Sequence, residues 1–320
     1  MKRGLGISIT EKQDLTGCKR GIKAVRGSPD QSYQHLVSYS NMLVEDNPRT
    51  KTAIETDTKG GFLYYFFTLG VSLHGFKSWC RPTFVVYDIH LTGERGGTLL
   101  SAIGYDANGK MYPIAFAIVD SENGDSCLWF MQKLFDALGH EYSMRNDLVV
   151  CSDRSASFES AIAEVFPSAC HVYYAYHIKG NIIRRYHNFA AAKAFMRAAQ
   201  AYTKDGYQRA MLEVKKDKVV FSYVQELHPR HWARVKAKRS RYTLTTNICE
   251  SWNNLLLKAR AIPITHLVDF ILTELMGGLE CRLAAVVLAG EVGLQVPNVG
   301  AVVNHPTATA PAPAPECEQG

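Results

Sequence analysis

The sequence predicts an α/β protein with a mixed sheet, an all-helical insertion and a helical N-terminal region. Three observations carry that prediction. From Thr83 to Val119, short runs rich in β-branched and aromatic residues follow one another with turn residues between them. The run Leu148-Val149-Val150-Cys151-Ser152 then passes through Asp153 into a helical pattern that Ser155 is placed to cap. From residue 177 to about 235 strand character disappears and strong helix formers such as Ala190-Ala191-Ala192 and Ala210-Met211-Leu212-Glu213 take over.

Taken in order, Gly27-Ser28-Pro29-Asp30 is a break followed by a helix start, with Ser28 as cap and Pro29 at the first helical position. Ser32 to Leu43 has apolar positions three to four apart, and Asn47-Pro48 stops it. Thr50 to Thr56 reads as a strand, and the aromatic run Phe62 to Phe67 as strand or helix. Phe84 to Tyr87, Thr98 to Gly104 and Met111 to Val119 read as three strands, the last two joined by the turn Asp106-Ala107-Asn108-Gly109. Cys127 to Leu138 is an amphipathic helix, followed by the Leu148 strand and the Ser155 helix. Asn247 to Ala259 and Pro263 to Met276 are further helices, and the Pro/Ala/Thr tail from Pro306 to Pro315 reads as disordered. The order βββαβα matches the ribonuclease-H-like arrangement, a match of element order alone. The expected division is 1–80, a core over 81–176, the insertion 177–242, a return to the core over 243–282, and a disordered tail 283–320.

Composition narrows the function classes. The chain has 320 residues, enough for a sizeable core, and no apolar run long enough for a membrane span or a signal peptide. A soluble, intracellular protein is expected. Eight cysteines with no CxxC pair argue against a disulfide framework and a cysteine-rich zinc finger. The net charge of +6 is concentrated, with sixteen Lys/Arg against four Asp/Glu between Lys179 and Arg241. Such a block is either a solvated helical face or the footprint of a phosphate-backbone binder. Arg184, Arg185, Lys215, Lys216, Arg239 and Arg241 are the candidates for DNA contact.

Two acids stand at strand ends, where α/β folds hold ligands. Asp153 follows the Leu148 strand and Asp88 follows Phe84 to Tyr87. Two carboxylates on neighbouring strands can hold Mg²⁺ or Mn²⁺, the raw material of two-metal phosphodiester chemistry. An acid after a strand also serves as a helix cap or turn residue. Asp120 and Glu122 read as surface loop, with help to the acidic site as the alternative. His90 reads as a support for its strand.

The segments Cys80-Arg81-Pro82, His90-Leu91, Gly97-Thr98-Leu99-Leu100, Tyr105 to Asn123, Ser152-Asp153-Arg154, Val165-Phe166-Pro167, His171 to His177 and Lys179-Gly180-Asn181 together resemble the plant Mutator-like element (MULE) transposases. Thr246 to Asn253 and Ala259 to Ile264 extend the resemblance, which covers roughly residues 15 to 282. It implies a ribonuclease-H-like nuclear transposase that cuts and rejoins double-stranded DNA at transposon ends with Mg²⁺ or Mn²⁺, possible as a homo-oligomer. The implied acidic triad is Asp88, Asp153 and Glu250, with His90 and His177 as supporting residues.

The chain departs from the family pattern in places. The family's first acid stands three residues before His, where this chain has Tyr87, with Asp88 one position on. One position in a strand reverses the face, so Asp88 is expected to serve only if the strand ends or bulges there. Tyr174 stands where the family has the Cys of a Cys-x-x-His pair, and Cys127 where it has a Trp. Neither a C-terminal zinc knuckle nor an N-terminal DNA-binding region is read in the sequence. The expectation is a truncated, degenerate copy. Three readings follow: an active transposase domain, an inactive or domesticated DNA-binding descendant, and a nuclease acting on RNA hybrids, which the long insertion disfavours.

Overall fold

The computed structural model describes residues 35–93, 96–236, 252, 254–257 and 259–288, with side chains as far as residue 278. Helix α1 (Leu36–Asp46) buries Leu36, Ser40 and Leu43, one stripe at helical spacing. Asn47, held extended before Pro48, ends it. The aromatic run resolves as a strand: β1 (Lys51–Thr56) pairs antiparallel with β2 (Phe62–Thr68). The turn between them uses Gly60 at φ +78° and the Asp57 carboxylate, which accepts from the Lys59 and Gly61 N–H groups. Helix α2 (Gly70–Trp79) follows. The N-terminal region expected to be helical thus also contributes two strands to the main sheet.

Strands β3 (Thr83–His90), β4 (Thr98–Tyr105) and β5 (Met111–Val119) form an antiparallel meander. Helix α3 (Gly124–Leu138) starts three residues before the expected Cys127, because Asn123 and Ser126 form a reciprocal capping box. The single turn α4 (His140–Ser143) leads to β6 (Val149–Ser152), and Ser155 caps α5 (Ala156–Val165) as its position predicts. A short strand, β7 (Cys170–Tyr173), escaped the sequence reading. The sheet has seven strands in the order β1-β2-β5-β4-β3-β6-β7, with β6 and β7 parallel to β3 and the rest antiparallel.

Alternation along the strands gives the sheet two buried faces. On one, Val85, Ile89, Phe116 and Ile118 pack with α1, Trp252 and α10 (Ile264–Leu288). On the other, Phe84, Val86, Leu100 and Val150 pack with α2, α3 and α5. Helix α10 runs past the expected end at Met276 as far as Leu288. Tyr39 on α1 donates to Asp269 on α10 at 2.5 Å, tying the two helices on that face together.

After β7 the chain enters α6 (Ala175–Tyr186), α7 (Phe189–Gln200), α8 (Lys204–Val214), α9 (Lys218–Glu226) and a 3₁₀ turn at Pro229–His231. These helices have a core of their own around Phe195, Trp232 and Val224. Among the described residues this stretch holds helices and no strand, and its first helix begins at Ala175, two residues before the expected 177. Cys127 and Cys151 are buried, and Cys80 and Cys170 partly so. Among the described residues no helix is long and apolar enough to cross a membrane.

Candidate acidic site

Strand β3 does not end at Asp88. It runs on to His90 in unbroken register with β4, Asp88 opposite Leu100 and His90 opposite Thr98. The local end or bulge on which a role for Asp88 depends in the sequence reading is absent. The strict alternation instead sends Asp88 to the same face as Phe84 and Val86, towards α3, and Tyr87 to the face that carries Trp252 and α10. Tyr87 packs against that apolar layer, half-buried.

Asp88 nevertheless has acidic company. Its carboxyl is pushed above the usual carboxylate range, first by burial and then by the charge of Asp153, with His90 and His177 pulling the other way. Glu122, in the loop between β5 and α3, is also pushed up, by burial and then by Asp88 and Asp153. Of the two readings of Glu122, surface loop or help to the acidic site, its half-burial and the charges of Asp88 and Asp153 acting on it favour the second. The capping box positions it, because Asn123 fixes the start of α3 one residue later. Cys127, on the first turn of α3, registers the same cluster: burial, Glu122 and Asp88 push its thiol up to about 12.

Asp153 sits one residue beyond β6, and its carboxylate accepts from the Ser155 N–H at 3.0 Å. Ser155 serves both sides of the site. Its oxygen accepts from the Phe158 N–H at 3.3 Å, capping α5, while its hydroxyl hydrogen-bonds the Glu122 carboxylate. The start of α5 and the entry to α3 are thereby drawn towards Asp88.

A second polar group lies beside this one. Ser152 donates to the Asp153 carbonyl at 2.6 Å and lies 2.9 Å from His171 Nε2. A hydroxyl has one proton and a carbonyl only accepts, so His171 Nε2–H donates to Ser152. That polarity is the reverse of an activated serine nucleophile, and Ser152 is fully buried. Burial, followed by the nearby His231, lowers the His171 pKa to about 4. His231 in turn donates from Nδ1 to the His171 carbonyl at 2.8 Å and stacks on Tyr173, joining the insertion to β7.

The other predicted residues divide. His90 lies 3.3 Å from the Thr98 hydroxyl through Nδ1, a cross-strand contact in keeping with strand support. His177 is exposed and meets Tyr174 edge-on. Arg184 donates to Asn181, Arg185 faces Tyr223, Lys215 lies over Phe221 and Lys216 is paired with Glu213. Glu250, Arg239 and Arg241 lie outside the described residues. Among the described residues no group of three His, Cys, Asp or Glu side chains converges tightly enough to hold a metal ion. The donor chemistry of Asp88, Asp153 and Glu122 is all oxygen, which suits Mg²⁺ or Mn²⁺ rather than zinc.

The model of the MULE transposase domain matches residues 84–181, from the second residue of β3 into α6, a span that includes Asp88, Glu122 and Asp153. No curated protein matches the chain.

Proposed function

We propose that the chain, whose residues 84–181 match the model of the MULE transposase domain, acts on DNA in transposition, by metal-dependent strand cleavage and transfer. The observation that carries the reading is that Asp88 and Glu122 are both raised by burial and by the charge of Asp153, and Glu122 also by that of Asp88. Carboxyls raised by a neighbouring carboxylate's charge are favoured in their ionised form by a divalent cation. Asp88 and Asp153 would hold it, with Glu122 beside them, and a bound Mg²⁺ or Mn²⁺ would supply the Lewis acidity that phosphodiester cleavage needs. The order β5-β4-β3-β6-β7, an antiparallel meander extended by two parallel strands, supports a ribonuclease-H-like core. Double-stranded DNA is the proposed partner and the nucleus the proposed compartment.

A second reading has its own observation. Tyr87 occupies the place of the family's first acid and fills the apolar layer on the face opposite Asp88. The position that should present a carboxylate on that face presents a phenol, which favours an inactive descendant that keeps DNA affinity. One experiment separates the two. Supercoiled plasmid is incubated with protein and Mn²⁺, using wild type and Asp153→Asn. The first reading expects nicking by wild type and none by the variant, with DNA retention on a filter unchanged in both. Retention without nicking by wild type would establish the second.

A further inference from the structure

Tyr223 on α9 sits at the seam between the insertion and the acidic site, and two cations converge on it. The Arg154 guanidinium, one residue from Asp153, lies 5.7 Å from the Tyr223 ring centre and donates to its hydroxyl at 3.1 Å. Arg185, on α6, lies 5.9 Å from the same centre. Asn181 Nδ2 also reaches the Tyr223 oxygen, at 3.4 Å, and holds Arg184 through its own carbonyl at 2.9 Å. Tyr223 is buried, so its ring is a fixed post, while Arg154 and Arg185 are exposed around it.

Neither Arg154 nor Arg185 has an ion-pair partner among the described residues. Of the two acids nearest Arg154 in sequence, Asp153 accepts from the Ser155 N–H at 3.0 Å and Glu159 from the Tyr173 hydroxyl at 2.7 Å, and neither forms an ion pair with it. Arg154 spends one of its five N–H groups on Tyr223, leaving the rest of its fork directed elsewhere. Two unneutralised guanidinium groups held near one ring repel each other, and that arrangement is favourable where an anion joins them. Its place is specific: the polypeptide passes from Arg154 to Asp153 without an intervening residue.

We propose that Arg154 and Arg185, braced on Tyr223, form a phosphate clamp that holds the DNA backbone alongside the acidic site. The clamp rests on the reading of the protein as DNA-acting. It adds the contact that would set the strand against Asp153, and it assigns Arg154 a binding role that the acids cannot fill. Phosphate contacts of this type position the duplex and carry no sequence information.

The test is fluorescence anisotropy with a fluorescein-labelled 30-base-pair duplex of arbitrary sequence, titrated with the full chain across a KCl series. Each lost phosphate contact lowers the slope of log K against log salt by about 0.9, so Arg154→Gln/Arg185→Gln should lower it by about 2 and weaken binding at least tenfold near 0.1 M. Lys110→Gln, in the hairpin at the far end of β4 from Asp88, should leave the slope unchanged. An unchanged slope in the double variant, or an equal fall in Lys110→Gln, overturns the clamp and leaves the proposed chemistry standing. No duplex binding by wild type overturns both. If the double variant melts early by circular dichroism, Arg185→Ala alone decides the matter, since Arg185 makes no hydrogen bond among the described residues; its slope should fall by about 1.

Discussion

At the scale of single residues, Glu122 is the informative side chain. Its carboxyl and that of Asp88 are raised by burial and by neighbouring charge, so the folded state binds protons more tightly there than the unfolded chain does. Stability from this cluster is therefore greatest in acid and falls as pH rises through the ordinary carboxylate range and on to the raised values. Glu122→Gln should stabilise the metal-free protein at pH 7 by at most about 1 kcal/mol, discounted for partial exposure, and the gain should vanish near pH 4. Urea denaturation at the two pH values checks this, and a loss of stability at pH 7 would remove Glu122 from the cluster. Sequence reading found Asp88 and Asp153 because each lies at or near a strand end. For Glu122 it favours a surface loop over help to the acidic site, because nothing in a loop pattern shows that Asn123 and Ser126 will cap a helix there and turn the preceding side chain inwards. Strand alternation puts Tyr87 and Asp88 on opposite faces of the sheet. The strand end or bulge on which a role for Asp88 was conditional is absent, and Asp88 lies on the α3 side.

At the scale of elements, the three meander strands and the capped α5 were legible because each combines a periodic pattern with a turn or cap residue. Strand β7 was not, since Cys170-His171-Val172-Tyr173 is only four residues and owes its strand state to pairing with β6. Phe62 to Phe67 was ambiguous because an apolar run has no period, and pairing with β5 decided it. The segment around Trp252 makes the strongest element-level prediction. Trp252 is buried and stacks on Phe116 of β5 with centroids 5.5 Å apart, fastening the segment that follows Glu250 to the Tyr87 face. Trp252→Ala should cost about 3–5 kcal/mol, as a cavity that large cannot collapse, while Trp252→Phe keeps the stack and costs less. Chemical denaturation midpoints of the two variants give the answer; near-equal midpoints would mean that the segment is not fastened there.

For the whole molecule, the junction of sheet and insertion governs acid sensitivity. His171 titrates at about 4 in the fold against 6.5 unfolded, and burial lowers His231 as well. The unfolded chain therefore binds more protons across that window, and stability should fall as pH drops from about 6.5 to 4, by on the order of 2 kcal/mol from His171. Thermal melting of wild type and His171→Gln at pH 7 and pH 5 tests this: the variant should lose less on acidification, and equal losses would mean that His171 does not set the acid limit. The three packed layers described above also each contain their own tryptophan: Trp252 on one face of the sheet, Trp129 against Tyr64 and Phe66 on the other, and Trp232 beside Phe195 within the insertion. Trp79 is exposed. Replacing all but one with phenylalanine would give three proteins whose fluorescence reports on one layer apiece, so that the order in which the layers melt, and which of them responds to added DNA, becomes visible as separate emission changes in one polypeptide.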